Sequence, residues 1–432
     1  MTAKPHRRAL RAVAVAAVGA FVMAGCASDD GGPVQLTWYI NPDAGGQAEL
    51  AKQCSDASNG AYNISTSLLP RDAASQREQL ARRLAAGDTT MDIMSLDPPF
   101  IPELAEPGFL ATPPSDLIDR TTSDTLEGAA AGAQWNGEYV TVPFWANTQL
   151  LFYRKSVAEA AGLDMSKPVT WDEIMDAAES QDKYLGVQGI QGESMTVWVN
   201  GLIESAGGSI VEGDAASVDG LSINLDSEEG KKAAEIVGGI GERGLGGPGI
   251  SSQDENAAMA QFQGDKGSFM VNWPFIYSAT AAAVEEGSVD QSVLDDIGWT
   301  TWPEVDKGTE SAPPLGGINL GVGADSQHQE EAWDAIECIT TPENQAQYMV
   351  SNGNPAASSA AYDDPAVREA FPMYQTIRDS LDMAAPRPQT PYYNEVSSGI
   401  QETWTPINEV NENTPAESEE FIMSVLNGES LL

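Results

Sequence analysis

Short apolar runs alternate along this chain with longer stretches in which apolar residues return every three or four positions. Gln35–Ile40 (Gln-Leu-Thr-Trp-Tyr-Ile) is an extended run that stops at Asn41-Pro42-Asp43, and Gly45-Gly46 leads into a helix through Cys54. A strand over Tyr62–Leu69, a helix over Ser75–Ala86 and a strand over Met91–Leu96 follow, the last ending at Asp97. Strand and amphipathic helix in alternation predict an α/β fold. Ligands of open α/β sheets sit outside the carboxyl ends of the strands, beside helix N-termini, so Asp43 and Asp97 are placed to meet one. Aspartate at such positions serves equally as a helix cap or turn former, and for Asp43 both readings stay open.

Tyr139–Tyr153 reads as one long extended segment broken by Pro143 and Asn147. A strand that changes character midway can pass from one lobe to another. Helices are predicted from Trp171-Asp172-Glu173, over Glu193–Ile203 and over Ala258–Phe262, and Gly267–Phe275 is a strand that stops at Pro274, a second candidate crossing. Leu315–Val322 is a glycine-rich strand where a backbone or a ligand approaches closely. No repeat of fixed period is visible.

The first residues have a different logic. Lys4, Arg7, Arg8 and Arg11 precede the apolar run Ala12–Gly25, which ends in Met23-Ala24-Gly25-Cys26. That order is a secretion signal over residues 1–25, with an apolar stretch shorter than the roughly 20 residues of a spanning helix. Cysteine directly after small residues resembles a bacterial lipobox, so Cys26 is expected to carry lipid and residues 26–33 to form a flexible tether. The protein would then sit outside the cytoplasm, anchored to the outer face of the cell membrane. Arg7-Arg8 leaves Sec and twin-arginine export both open.

Charge and rare residues then exclude functions. Loss of residues 1–25 removes four positive charges and no negative ones, taking the formal charge from −42 to −46 and ruling out nucleic acid as a partner. About 400 remaining residues exceed one core, so two domains are expected. With Cys26 lipidated, Cys54 and Cys338 are an even pair in an oxidising compartment, either bonded to each other or two buried thiols. His6 leaves with the signal, and His328 lies in a polar turn, which starves any His-dependent triad or zinc site. No HExxH, P-loop or GxSxG motif occurs, and no metal or cofactor is expected.

The order of these pieces resembles the sugar-binding proteins of ATP-driven importers, the maltose-binding-protein-like branch of the extracellular solute-binding proteins. The likeness is carried by "WYINPDAGG", "MDIMSLD", "NGEYVTVPFWANTQLLFYRK", "TWDE", "QGDKGSFMVNWPF", "PLGGINLGV" and "EEAWDAIECITTPENQAQY", and covers almost the whole mature chain. Within that family "LPR", "QREQLARRL", "NTQLLFYR", "VWVNGLIESAGGS", "GGINL" and "RPQTPYY" are similar to the trehalose-binding lipoproteins of mycobacterial trehalose-recycling importers, which carry a cysteine in the same two helices. The resemblance implies two α/β lobes joined by three crossings and closing on a ligand. Lobe one is placed at 34–147 plus 276–340 and lobe two at 148–275 plus 341–432. It implies a monomer that is not an enzyme and that delivers a disaccharide, trehalose, to the transmembrane subunits of an ABC permease.

Sugar hydroxyls both donate and accept hydrogen bonds while pyranose C–H faces pack on aromatic rings, so acids, amides, arginine and tryptophan suit them. By resemblance the ligand-binding set is Asp43, Asp97, Asn147, Glu193, Glu255, Asn272, Trp273, Gly317 and Arg387, with Trp273 as stacking platform and Arg387 as orienting fork. Plainer readings stand beside these. Trp273 and Trp198 suit a core, Glu193 and Glu255 suit the first turn of a helix, Arg387 suits solvent, and Asn147 suits backbone groups at a crossing. A maltose-type oligosaccharide is the alternative ligand. A carboxylate-based glycoside hydrolase, or a peptide or iron-chelate binder, are the alternative classes.

Overall fold

The computed structural model describes residues 32–432. The expected signal peptide, Cys26 and most of the expected tether lie outside them. Strands β1 (Val34–Ile40), β2 (Tyr62–Leu68) and β3 (Ile93–Leu96) are joined by helices α1 (Gly46–Ala57) and α2 (Ala73–Ala85). β1 pairs in parallel with both β2 and β3, the outcome of βαβ connections. Two later strands complete this sheet: β4 (Val142–Thr148) and β9 (Leu315–Gly321), in the order β2-β1-β3-β9-β4. Period-two alternation decides which face each side chain takes. Leu36, Trp38 and Ile40 enter a core with α1, and Tyr39 enters the opposite core with Leu80 and Leu84 of α2. Each large apolar side chain buried in this way contributes roughly 1.5–3 kcal/mol.

The second sheet has β5 (Leu150–Arg154), β6 (Tyr184–Gly186), β7 (Gly267–Asn272) and β8 (Ile297–Thr300) in the order β8-β5-β7-β6. Leu151, Phe269 and Val271 face a core built with α3 (Trp171–Ser180), α4 (Glu193–Ser205) and α5 (Glu228–Glu242). Leu150, Phe152 and Met270 face the other side, against α6 (Glu255–Gln263) and later helices. The "TWDE" motif is a capping box: Thr170 Oγ1 accepts from Glu173 N, and Glu173 Oε2 accepts from Thr170 N, which fixes the start of α3. Trp198, fully buried beside Trp171, is a core residue.

The extended segment predicted at Tyr139–Tyr153 begins at the end of a short separate strand (Glu138–Tyr139) and continues as β4 and β5 in different sheets, the chain passing between these two at Gln149. Two further passages run alongside. Thr148 is registered with Leu315, and Leu315 N donates to Ala385 O while Ala385 N donates to Pro313 O. Three passages therefore lie side by side near residues 148, 315 and 385.

The boundaries differ from those expected. Pro274 ends β7, but α7 (Phe275–Glu285) leads on to β8, which pairs with β5 in the second sheet. The return to the first sheet therefore falls between Thr300 and Leu315, not at 276. Nor does residue 340 divide the lobes, because α9 (Pro342–Asn352) puts Tyr348 into the core of the first sheet and Ala346 and Met349 into a core of the second. The last passage lies between α10 (Tyr374–Met383) and α11 (Tyr393–Thr403), which packs with α4.

Cys54 of α1 and Cys338 of α8 (Gln329–Ile339) are disulfide-bonded, with their Cα atoms 5.9 Å apart. Among the described residues no helix is long and apolar enough to cross a membrane.

Candidate functional site

A cavity of about 270 Å³ lies where the carboxyl ends of β1, β3 and β4 and the amino end of antiparallel β9 meet the second sheet and the last passage. From the first sheet come Asn41, just past β1, Asp97, just past β3, Trp145 and Asn147 of β4, and Gly316 and Gly317 of β9. Glu193 and Ser194 open α4, Glu255 opens α6, Trp273 follows β7, and Arg387 lies on the passage between α10 and α11. Seven of the nine residues expected to bind ligand thus share one lining: Asp97, Asn147, Glu193, Glu255, Trp273, Gly317 and Arg387.

Arg387 is its centre. Its side chain is only 4 % exposed, and Nη1 donates to Glu193 Oε1 at 2.5 Å while Nη2 donates to Asp97 Oδ1 at 2.6 Å. One cation is thereby held between the first sheet and α4. Burial opposes the Arg387 charge, but Asp97, Tyr393 and Glu193 outweigh it and hold the guanidinium well above its ordinary range. Burial pushes the Asp97 carboxyl up, Arg387 draws it back, and Glu193 adds to the rise. The Glu193 carboxylate also accepts from Tyr393 Oη and, at 2.7 Å, from Ser397 Oγ, both on α11. Burial and the Glu193 charge raise the Tyr393 phenol well above its usual range.

The remaining lining residues are aimed by local structure. Ser194 Oγ donates to Glu255 Oε1 at 2.6 Å, and Asp254 caps α6 by accepting from Ala257 N. A Cβ at Gly316 would lie 3.1 Å from the Trp273 indole, so glycine there makes room for the ring. Gly317, at φ 129°, lets β9 approach β4, since a Cβ would meet the Trp145 carbonyl oxygen at 2.4 Å. Pro98 and Pro99 form a buried 3₁₀ turn after Asp97 that sets Phe100 edge-on to Tyr393, ring centroids 5.4 Å apart. Three polar atoms of lining residues are buried without a protein partner: Asn41 Oδ1, Trp145 Nε1 and Arg387 Nε. Such atoms are costly unless a ligand or water satisfies them.

A family model described as bacterial extracellular solute-binding protein matches residues 62–346. The chain belongs to the bacterial extracellular solute-binding proteins. A curated relative, a probable ABC transporter-binding protein of Deinococcus radiodurans, is 24% identical over 77% of this chain and 78% of its own length. A maltotriose-binding protein of Pyrococcus abyssi is 23% identical over 70% of this chain and 62% of its own. The solved structure of maltose-bound MalE3 from T. maritima superposes with a TM-score of 0.76 at 23% identity, covering 91% of this chain and 99% of that one. That likeness gives the fold of this solute-binding protein as the two-lobe one. The family is one of binding proteins, not enzymes.

Two expected ligand residues lie elsewhere. Asp43 is outside the lining and accepts from Gly45 N and Gln47 N, closing the start of α1. Asn272 is fully buried: its Nδ2 donates to Glu255 O and its Oδ1 accepts from Trp273 N, so it sets the backbone beneath the lining. Glu193 lines the cavity, but Arg387, Tyr393 and Ser397 already engage both its oxygens. Asn41, Gln76, Trp145 and Ser194 line the site without having been anticipated. Trp145 was within reach, because it stands two residues before Asn147 on one strand and shares its face. Among the described residues no group of three or more His, Cys, Asp and Glu is arranged to hold a metal.

Proposed function

We propose that this solute-binding protein is the sugar-binding component of an ABC importer and that its ligand is a disaccharide, trehalose, which it passes unaltered to the permease. The observation that carries this is the lining itself. Carboxylates (Asp97, Glu255), amides (Asn41, Asn147), a guanidinium (Arg387) and two indoles (Trp145, Trp273) converge on one cavity. A neutral polyol answers donors and acceptors together and offers a C–H face to an indole. About 270 Å³ lies just below the ~300–1,000 Å³ typical of ligand sites, which favours a short sugar over a long oligomer. Lipid on Cys26 would hold the protein at the membrane where the permease works.

A maltose-type sugar is the second reading, favoured by the maltose- and maltotriose-binding relatives. Calorimetric titration with trehalose, maltose and maltotriose separates the two. Tight trehalose binding is expected; tight maltotriose binding with trehalose silent transfers the assignment to the second reading, and silence of every sugar removes both.

A further inference from the structure

A second cavity, about 340 Å³, lies against the last passage. Glu204 at the end of α4, Ser209, Val211 and Ala215 form one side of it, and residues 386–389 form the other. Alone among the described residues, Arg387 lines both this chamber and the ligand cavity. The passage here is fixed: Thr390 Oγ1 donates to Ala215 O at 2.7 Å, and Gln389 Nε2 donates to Arg387 O at 2.9 Å. The Arg387 guanidinium is clamped between Asp97 and Glu193.

The chamber has the chemistry of a sugar site. The Gln389 amide lines it, with Nε2 donating to Arg387 O. Ser209 Oγ donates to Glu204 Oε1 at 3.2 Å, and Val211, Pro386 and Pro388 supply apolar surface. Burial pushes the Glu204 carboxyl up to about 7, so near neutral pH it offers both donor and acceptor forms.

Resting on the sugar-binding reading above, we propose that this cavity is a second sugar subsite, and that the Arg387 side chain stands as the partition between it and the ligand cavity and restricts the protein to short sugars. The two cavities together fall well within the usual range for a ligand site, whereas the first alone lies just below it. Arg387 then has two roles: it donates to the bound disaccharide and it sets the length limit.

The test is titration of native protein, Arg387→Ser and Arg387→Met with trehalose and with maltotriose. Serine opens the partition, while methionine removes the charge but keeps much of the bulk. Expected are trehalose binding by native protein, at least a tenfold loss of trehalose affinity in both variants, and at least a tenfold gain for maltotriose in Arg387→Ser alone. Adding Ala215→Phe to Arg387→Ser fills the chamber and should abolish the gain. Where Arg387→Ser does not fold, Arg387→Ser with Asp97→Asn, which removes a carboxylate left without its cation, carries the same measurement. No gain for maltotriose, an equal gain in Arg387→Met, or a gain that survives Ala215→Phe overturns the partition while native trehalose binding leaves the sugar-binding reading standing. A native protein that binds no sugar overturns both.

Discussion

Asp97→Ala tests the centre of the site, because Asp97 is the residue through which the first sheet reaches Arg387. The bond is 2.6 Å long and joins two charged groups, one of them 4 % exposed. Hydrogen bonds to charged groups contribute about 1.5–3 kcal/mol. Truncation leaves Nη2 without this partner beside an Nε that already lacks one, while Glu193, supported by Tyr393 and Ser397, continues to hold Nη1. Any sugar hydroxyl on the Asp97 carboxylate is lost with it. Affinity for trehalose should therefore fall by about 10- to 100-fold, from roughly 1.4 kcal/mol per factor of ten. Asp97→Asn keeps the shape and an acceptor and should fall less. Isothermal titration at fixed pH and salt, with far-UV circular dichroism to show an unchanged fold, reads both. Binding within twofold of native for Asp97→Ala would refute the claim that ligand affinity depends on this carboxylate.

Other outcomes follow from the same geometry. Replacing Cys54 and Cys338 with alanine opens a link across a sequence separation of 284 residues, for which the chain-entropy model gives roughly 5.6 kcal/mol; a urea-denaturation loss under 1 kcal/mol, or two thiols freely alkylated without reductant, would contradict it. Cys26→Ala should move the protein from the membrane fraction to the medium, and unchanged fractionation defeats the lipid anchor. Glu204 has a folded value raised to about 7 from an ordinary 4.5. The folded state therefore binds the extra proton, so this group's contribution to stability is lost as pH rises from about 4.5 to 7 and stays lost above. Glu204→Gln should flatten that part of the stability profile and raise stability at pH 8 by up to roughly 3 kcal/mol; an unaltered profile would show that Glu204 is solvated.

The sequence conveyed strand and helix order well where one period dominated. Val34–Ile40, Gly46–Ala57 and Leu315–Gly321 each lie close to where alternation or glycine placed them. Position in the sheet was harder. Pro274 signalled the end of a strand, yet a proline stops backbone donation without dictating which lobe the next helix joins, and β8 stayed with the second sheet. Asp43 and Asp97 look alike in sequence, each just beyond a strand. Backbone N–H groups at the start of α1 take the first, and Arg387, 290 residues away, takes the second. Only tertiary packing separates such cases. Asn272 misled for a related reason, since an amide at the end of a buried strand serves the backbone as readily as a ligand.

The balance of charge inside the cleft bears on what it holds. The formal charge of the chain is −42, so an anionic solute meets repulsion before it reaches the protein. Among the described residues the one cation of the lining, Arg387, is already paired with Asp97 and Glu193, and no second arginine or lysine lines the cavity to pair a carboxylate or phosphate. A cationic solute would find Glu255, but an ammonium group cannot accept from the Asn147 amide that lines the same cavity. An apolar ligand would shield the lining carboxylates and amides from water without pairing them, at about 1–3 kcal/mol each. A neutral solute bearing groups that both donate and accept answers the carboxylates, amides and serine of the lining together, and hydroxyls on a ring do so while leaving a C–H face for Trp273.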